Sequence, residues 1–117
     1  MENHTTSPPK MQAALKVIRL ALVCGHLEGD GLTVDRAKYE GGSCYVHLTK
    51  PIDLYSWVES HGYEPKLVKR TGAVSFPAIL SVAVDGVEIS ALCDKKETEF
   101  LTTIHGGIQD AEAESKA

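Results

Sequence analysis

The sequence predicts a two-layer α+β domain, in which three helices cover one side of a mostly antiparallel sheet of about five strands. Two observations lead to this fold class. Segments with the 3.6-residue period of amphipathic helices are interspersed with short apolar/polar runs of period two. The period-two runs come in pairs around glycine-containing turns, which is typical of antiparallel hairpins. The predicted element order is α-β-β-α-β-β-β-α.

The first predicted helix covers about residues 11 to 24. Its apolar residues recur at helical spacing: Met11, Leu15, Ile18 and Leu22. Further apolar residues widen this stripe over most of the helix: Ala14, Val17, Ala21 and Val23. Gly25 offers a C-terminal stop. A helix this apolar is expected either to be covered by more than one layer or to form an interface.

Two alternating runs, residues 32–40 and 43–49, flank a pair of glycines and predict the first hairpin. In the second strand, one face should carry Cys44, Val46 and Leu48, and the other Tyr45 and His47. The parity slips in the first strand, where Leu32 and Val34 belong to one set and Ala37 and Tyr39 to the other. This slip predicts a β-bulge or a one-sided role for Tyr39.

A short helix is predicted between Pro51 and Gly62, with Trp57 packed on the sheet and Tyr55 on the surface. The strand KLVKR, residues 66–70, follows this helix. Proline has no backbone N–H for a strand ladder, so the next strand should be an edge strand or begin after Pro77.

The strongest local pattern is the pair of alternating runs joined by Asp85 and Gly86, the preferred residues of a two-residue hairpin turn. Closing this turn pairs Val84 with Val87, Val82 with Ile89, and Leu80 with Ala91. Asp94 and Glu97 have the spacing of a capping box at the start of the last helix. The apolar stripe of that helix is expected to be Phe100, Leu101 and Ile104.

The domain is expected to span residues 10–107, between a disordered leader, residues 1–9, and a disordered tail, residues 108–117, because both ends are polar. The chain has 117 residues, of which 43% are hydrophobic, enough for one core without disulfides. A net charge of −4 argues against a dedicated nucleic-acid binder. Cations such as Lys66, Lys69 and Arg70 are interpreted as solvated edge charges.

The cellular location is predicted from the N-terminal segment, the length of the apolar runs and the cysteines. The N-terminus lacks the basic and apolar regions of a secretory signal. No apolar run approaches the roughly 18 residues of a membrane span. Three cysteines without scaffold spacing are typical of thiols that stay reduced. A soluble cytoplasmic protein is the expectation, by analogy one of the small accessory proteins of bacteria and their phages.

The segment GSCY, residues 42–45, resembles most of the signature around the nucleophile of papain-like cysteine proteases. That family places its cysteine at a helix N-terminus, which lowers the thiol pKa, whereas Cys44 lies in a strand pattern. The family's histidine is expected roughly 130 to 150 residues downstream, beyond the end of this chain. His47 does not substitute, because it points to the opposite face of the strand. A catalytic role for Cys44 is therefore not expected.

A zinc site formed by Cys24, His26, Cys44 and His47 is a weaker alternative, because these are ligand types of structural zinc but their spacing is poor. No cofactor is expected, and no catalytic group of residues is recognisable.

The preferred interpretation is a non-enzymatic accessory or regulatory protein that binds a partner protein or a second copy of itself. Its predicted contact residues lie on the open sheet face and on exposed aromatic positions: Tyr45, His47, Tyr39 and Tyr55. The rival hypothesis is a small-molecule pocket between sheet and helices near Trp57, Tyr63 and Phe76.

Overall fold

The computed structural model describes residues 9–72 and 75–109. It confirms the α+β class and the element order. The elements are α1 (Pro9–Gly29), β1 (Val34–Glu40), β2 (Ser43–Leu48), α2 (Pro51–His61), β3 (Lys66–Lys69), β4 (Ala78–Val84), β5 (Val87–Cys93) and α3 (Lys95–His105).

The five strands form one mixed sheet in the order β1-β2-β5-β4-β3. Neighbouring strands are antiparallel except for β2 and β5, which are parallel and pair Cys44 with Val87. The predicted partners across the Asp85–Gly86 turn are all observed. Because β2 and β5 run in the same direction and both follow a tight turn, the two hairpin turns lie side by side at one end of the sheet.

The helices form the second layer of the domain. α1 packs over β1 and β2, whereas α2 and α3 pack over the β3–β4–β5 half. Every second residue of β2, β4 and β5 is buried toward the helices, as the alternation predicts. Fully buried side chains from both layers meet there: Leu27, Leu54, Leu67, Leu80, Ile89 and Leu101.

α1 is longer than predicted, because it continues through Gly25 to Gly29. A glycine inside a helix costs about 1 kcal/mol relative to alanine. The next turn carries Leu27, which is fully buried. Burial of a leucine stabilises by roughly 1.5–3 kcal/mol, which outweighs the glycine and keeps the helix intact.

Three local predictions, two on strands and one on a helix, are confirmed. The register of β1 and β2 shifts between Val34 and Arg36, so the parity slip is a bulge at Asp35. β4 begins at Ala78, directly after Pro77. Asp94 caps α3, and its carboxylate accepts from the Glu97 backbone N–H at 2.8 Å while the Glu97 side chain accepts from the Asp94 N–H at 2.9 Å.

Two predictions about helical side chains are wrong. Tyr55 is buried rather than on the surface, because α3 packs against α2 and brings the His105 ring into an edge-to-face contact with the tyrosine ring. Of the predicted stripe of α3, only Leu101 is buried, whereas Phe100 and Ile104 are exposed. Leu101 is the one residue of α3 that is buried in the core, so the helix contacts the sheet along a narrow line.

Most of the predicted leader and tail lies outside the described residues, so the prediction of disorder is not addressed there. At the N-terminal boundary, α1 begins at Pro9. At the other end, Gln109 forms an isolated bridge with Val68. The Gln109 N–H donates to the Leu67 carbonyl at 2.8 Å, and Ile108 packs against the core. Residues 108 and 109, which the sequence assigned to the tail, therefore contact the domain.

Candidate functional site

The outer side of α1 is an apolar surface without a partner in the described chain. The opposite side of the helix is buried in the core and carries Leu20, Val23 and Leu27. Five large apolar side chains on the outer side are between 46% and 65% exposed: Met11, Leu15, Val17, Ile18 and Leu22. Ala14 and Ala21 are exposed between them. These seven residues are called the α1 face below.

The cations in the middle of α1 do not lie on this face. Lys16 Nζ donates to the Gly42 carbonyl at 2.8 Å, at the β1–β2 turn. Arg19 Nη1 lies at the β4–β5 turn, 3.8 Å from where a Cβ on Gly86 would be. Both side chains extend from the helix to the adjacent hairpin turns, away from the α1 face. The middle of the α1 face is therefore uncharged as well as apolar.

The open side of the sheet carries Tyr45 and His47, as predicted from the parity of β2. His47 Nδ1 and Ser90 Oγ are 3.0 Å apart and share a hydrogen bond across the parallel β2–β5 pair. Lys38 Nζ lies 5.7 Å from the centre of the Tyr45 ring, within cation–π range. These groups line an open depression of about 540 Å³. Its polar and charged lining differs from the apolar α1 face.

A serine beside a histidine also resembles part of a nucleophilic site. Ser90 is only 4% exposed, however, and its hydroxyl is bonded to Nδ1 of a neighbouring strand residue. Within the described residues, no carboxylate is hydrogen-bonded to the other ring nitrogen of His47. The pair is best explained as a buried hydroxyl whose hydrogen bond is satisfied.

The remaining two predicted contact residues lie elsewhere, so the four do not form one surface. After the bulge at Asp35, Tyr39 points to the helix side of β1, where it pairs with Cys44. The Cys44 thiol donates to the Lys16 carbonyl at 3.4 Å, which places Tyr39 beside α1. Tyr55 is buried under α3, with its hydroxyl 3.5 Å from His105 Nδ1.

An aromatic cluster lies at the C-terminal end of α2. Trp57 stacks on Tyr63 with ring centres 5.7 Å apart, and the ring centres of Trp57 and His61 are 4.3 Å apart. Trp57 Nε1 donates to Asp30 Oδ2 at 2.8 Å, and His61 Nε2 is 3.6 Å from the same oxygen. The contact joins residues 27 positions apart, so no local pattern in the sequence could have indicated Asp30.

The cluster borders one cavity of about 70 Å³, next to His26 and Asp85, and one open depression of about 510 Å³ beside Asp53. Small-molecule sites usually have about 300–1,000 Å³ and enclose most of the ligand. The enclosed space is smaller than this range. Phe76 of the predicted pocket lines neither space and is exposed.

The predicted zinc ligands are not brought together. Cys44 faces the helices and His47 faces the open side of the sheet. Within residues 9–72 and 75–109, no group of three or more His, Cys, Asp and Glu side chains is arranged to hold a metal ion. Burial, followed by the nearby Glu28, raises the pKa of the Cys24 thiol, which disfavours the thiolate that zinc binds.

Comparisons with models of protein families, with curated proteins and with solved structures found no significant match. In the part of the chain that the structure describes, no helix has both the length and the apolar character needed to span a bilayer.

Proposed function

We propose that this chain is a small non-enzymatic accessory domain that binds another protein chain through the α1 face. One observation carries the proposal: five large apolar side chains are about half exposed on one side of a single helix. Scattered exposed apolar residues are normal on soluble proteins, whereas a contiguous group of them marks an interaction surface.

Burial of these five side chains alone is not enough to hold a partner. Full burial of a large aliphatic side chain stabilises by roughly 1.5–3 kcal/mol, so each half-exposed residue contributes roughly 1 kcal/mol, or about 5 kcal/mol in all. Loss of rigid-body freedom on association costs about 4–15 kcal/mol. Additional contacts are therefore needed, and Tyr39 lies beside α1 as a candidate.

A reducing compartment such as the cytoplasm fits this proposal. All three cysteines are free thiols, and Cys44 and Cys93 are buried. A small-molecule role has less support, because the enclosed space at Trp57 is about 70 Å³.

The test is site-specific photo-crosslinking in the cells from which the protein comes. A benzophenone amino acid replaces Ile18 on the α1 face in one variant and Ile52 on α2 in the control, where the side chain is 41% exposed. We expect a discrete cross-linked protein from position 18 and none from position 52. Mass spectrometry of the adduct identifies the partner chain. No adduct from position 18, or equal adducts from both positions, would contradict the proposal.

A further inference from the structure

We infer that the α1 face binds the same face of a second copy of this chain, with the two helices antiparallel. This inference rests on the proposed function, because it names the occupant of that docking surface. Three observations support it: the spacing of the apolar residues, the symmetry of their sizes about the middle of the helix, and the placement of charges.

Four residues of the α1 face have the spacing of two helices that pack along their length, and they are called the seam below. Met11, Leu15, Ile18 and Leu22 are separated by four, three and four residues, which is the a/d pattern of paired helices. The face lies opposite the buried residues Leu20, Val23 and Leu27, so the sheet does not obstruct a second helix.

The sizes are self-complementary about a point between Lys16 and Val17. A two-fold axis at this point places Leu15 opposite Ile18 of the second copy, and Met11 opposite Leu22 of the second copy. On one flank, Ala14 comes near Ala21 of the second copy, and these small residues let the helices approach closely. Such an arrangement is isologous, as a closed two-fold dimer requires.

The charges favour the antiparallel direction. Lys10 and Glu28 are 18 residues apart, which is five helical turns, so they lie on the same flank at opposite ends of α1. Parallel helices would bring Lys10 beside Lys10 of the second copy and Glu28 beside Glu28 of the second copy, so that like charges would repel. Antiparallel helices bring the lysine end of one copy toward the glutamate end of the other and oppose the helix dipoles.

A second copy also fits the charge of the seam better than an acidic partner or an anionic membrane. Lys16 and Arg19 are turned toward their own hairpin turns, at Gly42 and Gly86. An uncharged apolar seam is best covered by another uncharged apolar seam. A second copy of α1 has such a seam, of the same length. The seam from Met11 to Leu22 is about 17 Å long, so the interface is small and a dissociation constant on the order of 10 µM is expected.

The first experiment is sedimentation equilibrium of the untagged protein from about 1 to about 200 µM, a range that brackets this constant. We expect the mass to rise from 12.6 kDa toward twice that value. Ile18→Glu should remain monomeric throughout, because the charge would be buried in the seam. The control Ile52→Glu should dimerise like the unmodified chain. Far-UV circular dichroism checks that both variants are folded.

The second experiment tests the direction of the helices by disulfide formation. Cys24→Ser removes the half-buried thiol on α1 from every chain. In this background, a chain with Met11→Cys and Leu22→Cys should oxidise to a covalent dimer. Neither single variant should do so, because two copies of residue 11 would be about 17 Å apart, too far for a disulfide. Cross-linking of the Met11→Cys single variant would show parallel helices and overturn the inference.

A strictly monomeric protein over the whole concentration range would also overturn the second-copy inference. Photo-crosslinking at position 18 then separates the two proposals: an adduct with a different protein retains the proposed function, and the absence of any adduct rejects it. A monomer that binds vesicles of phosphatidylserine, and loses this binding with Ile18→Glu but not with Ile52→Glu, would replace both proposals with a membrane surface.

Discussion

Cys93 shows how a single buried group links the stability of this protein to pH. Its side chain is fully buried on β5. Burial, with a smaller effect of the carboxylates of Glu97 and Asp94, raises the pKa of Cys93 from its ordinary value of 9.0 to about 12. The thiol therefore stays protonated in the folded protein at pH values at which it ionises in the unfolded chain.

We expect the free energy of unfolding to fall as the pH rises from about 9 toward 12. Below the unfolded pKa both states hold the proton and there is no effect. Above it the unfolded state loses a proton that the folded state retains, which favours unfolding. Urea unfolding at about pH 8 and about pH 10 measures the fall. Cys93→Ala should make the fall smaller, and an identical pH dependence in this variant would contradict the assignment.

At the scale of one element, α2 begins without a side-chain cap. Lys50 occupies the N-cap position with extended backbone angles, and its side chain forms no capping hydrogen bond. Aspartate or asparagine at this position accepts from the first free N–H groups of a helix, and a negative charge there interacts favourably with the helix dipole. The preceding loop and Pro51 fix where α2 starts, so a capping side chain at position 50 would be in place to accept these hydrogen bonds.

Lys50→Asp should therefore raise the free energy of unfolding by about 0.5–1 kcal/mol. Chemical denaturation monitored by the fluorescence of Trp57, the only tryptophan, measures this change. Lys50→Ala is the matched control, because it removes the same lysine without adding a cap and should change stability by less. Equal effects of the two substitutions would show that the cap does not form.

At the scale of the whole molecule, β5 is the central strand that joins the two halves of the sheet, β1–β2 on one side and β4–β3 on the other. It pairs with β2 on one side and β4 on the other, while α2 and α3 pack across it. Ile89 is fully buried in this strand and lies between Val46 and Val82. A cavity at this position would weaken both layers at once.

Ile89→Ala should lower the free energy of unfolding by about 2–5 kcal/mol. The exposed residue Ile52 provides the control, and Ile52→Ala should cost less than about 0.5 kcal/mol. Urea unfolding followed by both fluorescence and circular dichroism tests whether the two halves unfold together. A variant of Ile89 as stable as the unmodified protein would contradict the central position of β5.

Single-residue roles were predictable wherever neighbours in sequence decide them. The Asp94–Glu97 capping box, the Asp85–Gly86 turn and the start of β4 after Pro77 are confirmed, because each depends on residues within one turn. The contact of Trp57 with Asp30 and the burial of Tyr55 under α3 depend on residues far apart in the chain. No sequence pattern indicated them.

The sequence by itself determined the α+β class, the order of elements, both hairpins and the faces of the strands, because periodicity and turn chemistry are local. Only the tertiary structure decided that β2 and β5 are parallel neighbours and that α1 continues past Gly25. It also decided which side of α1 is buried. The helix is apolar on most sides, so its periodicity did not distinguish the side that contacts the sheet from the α1 face that remains exposed.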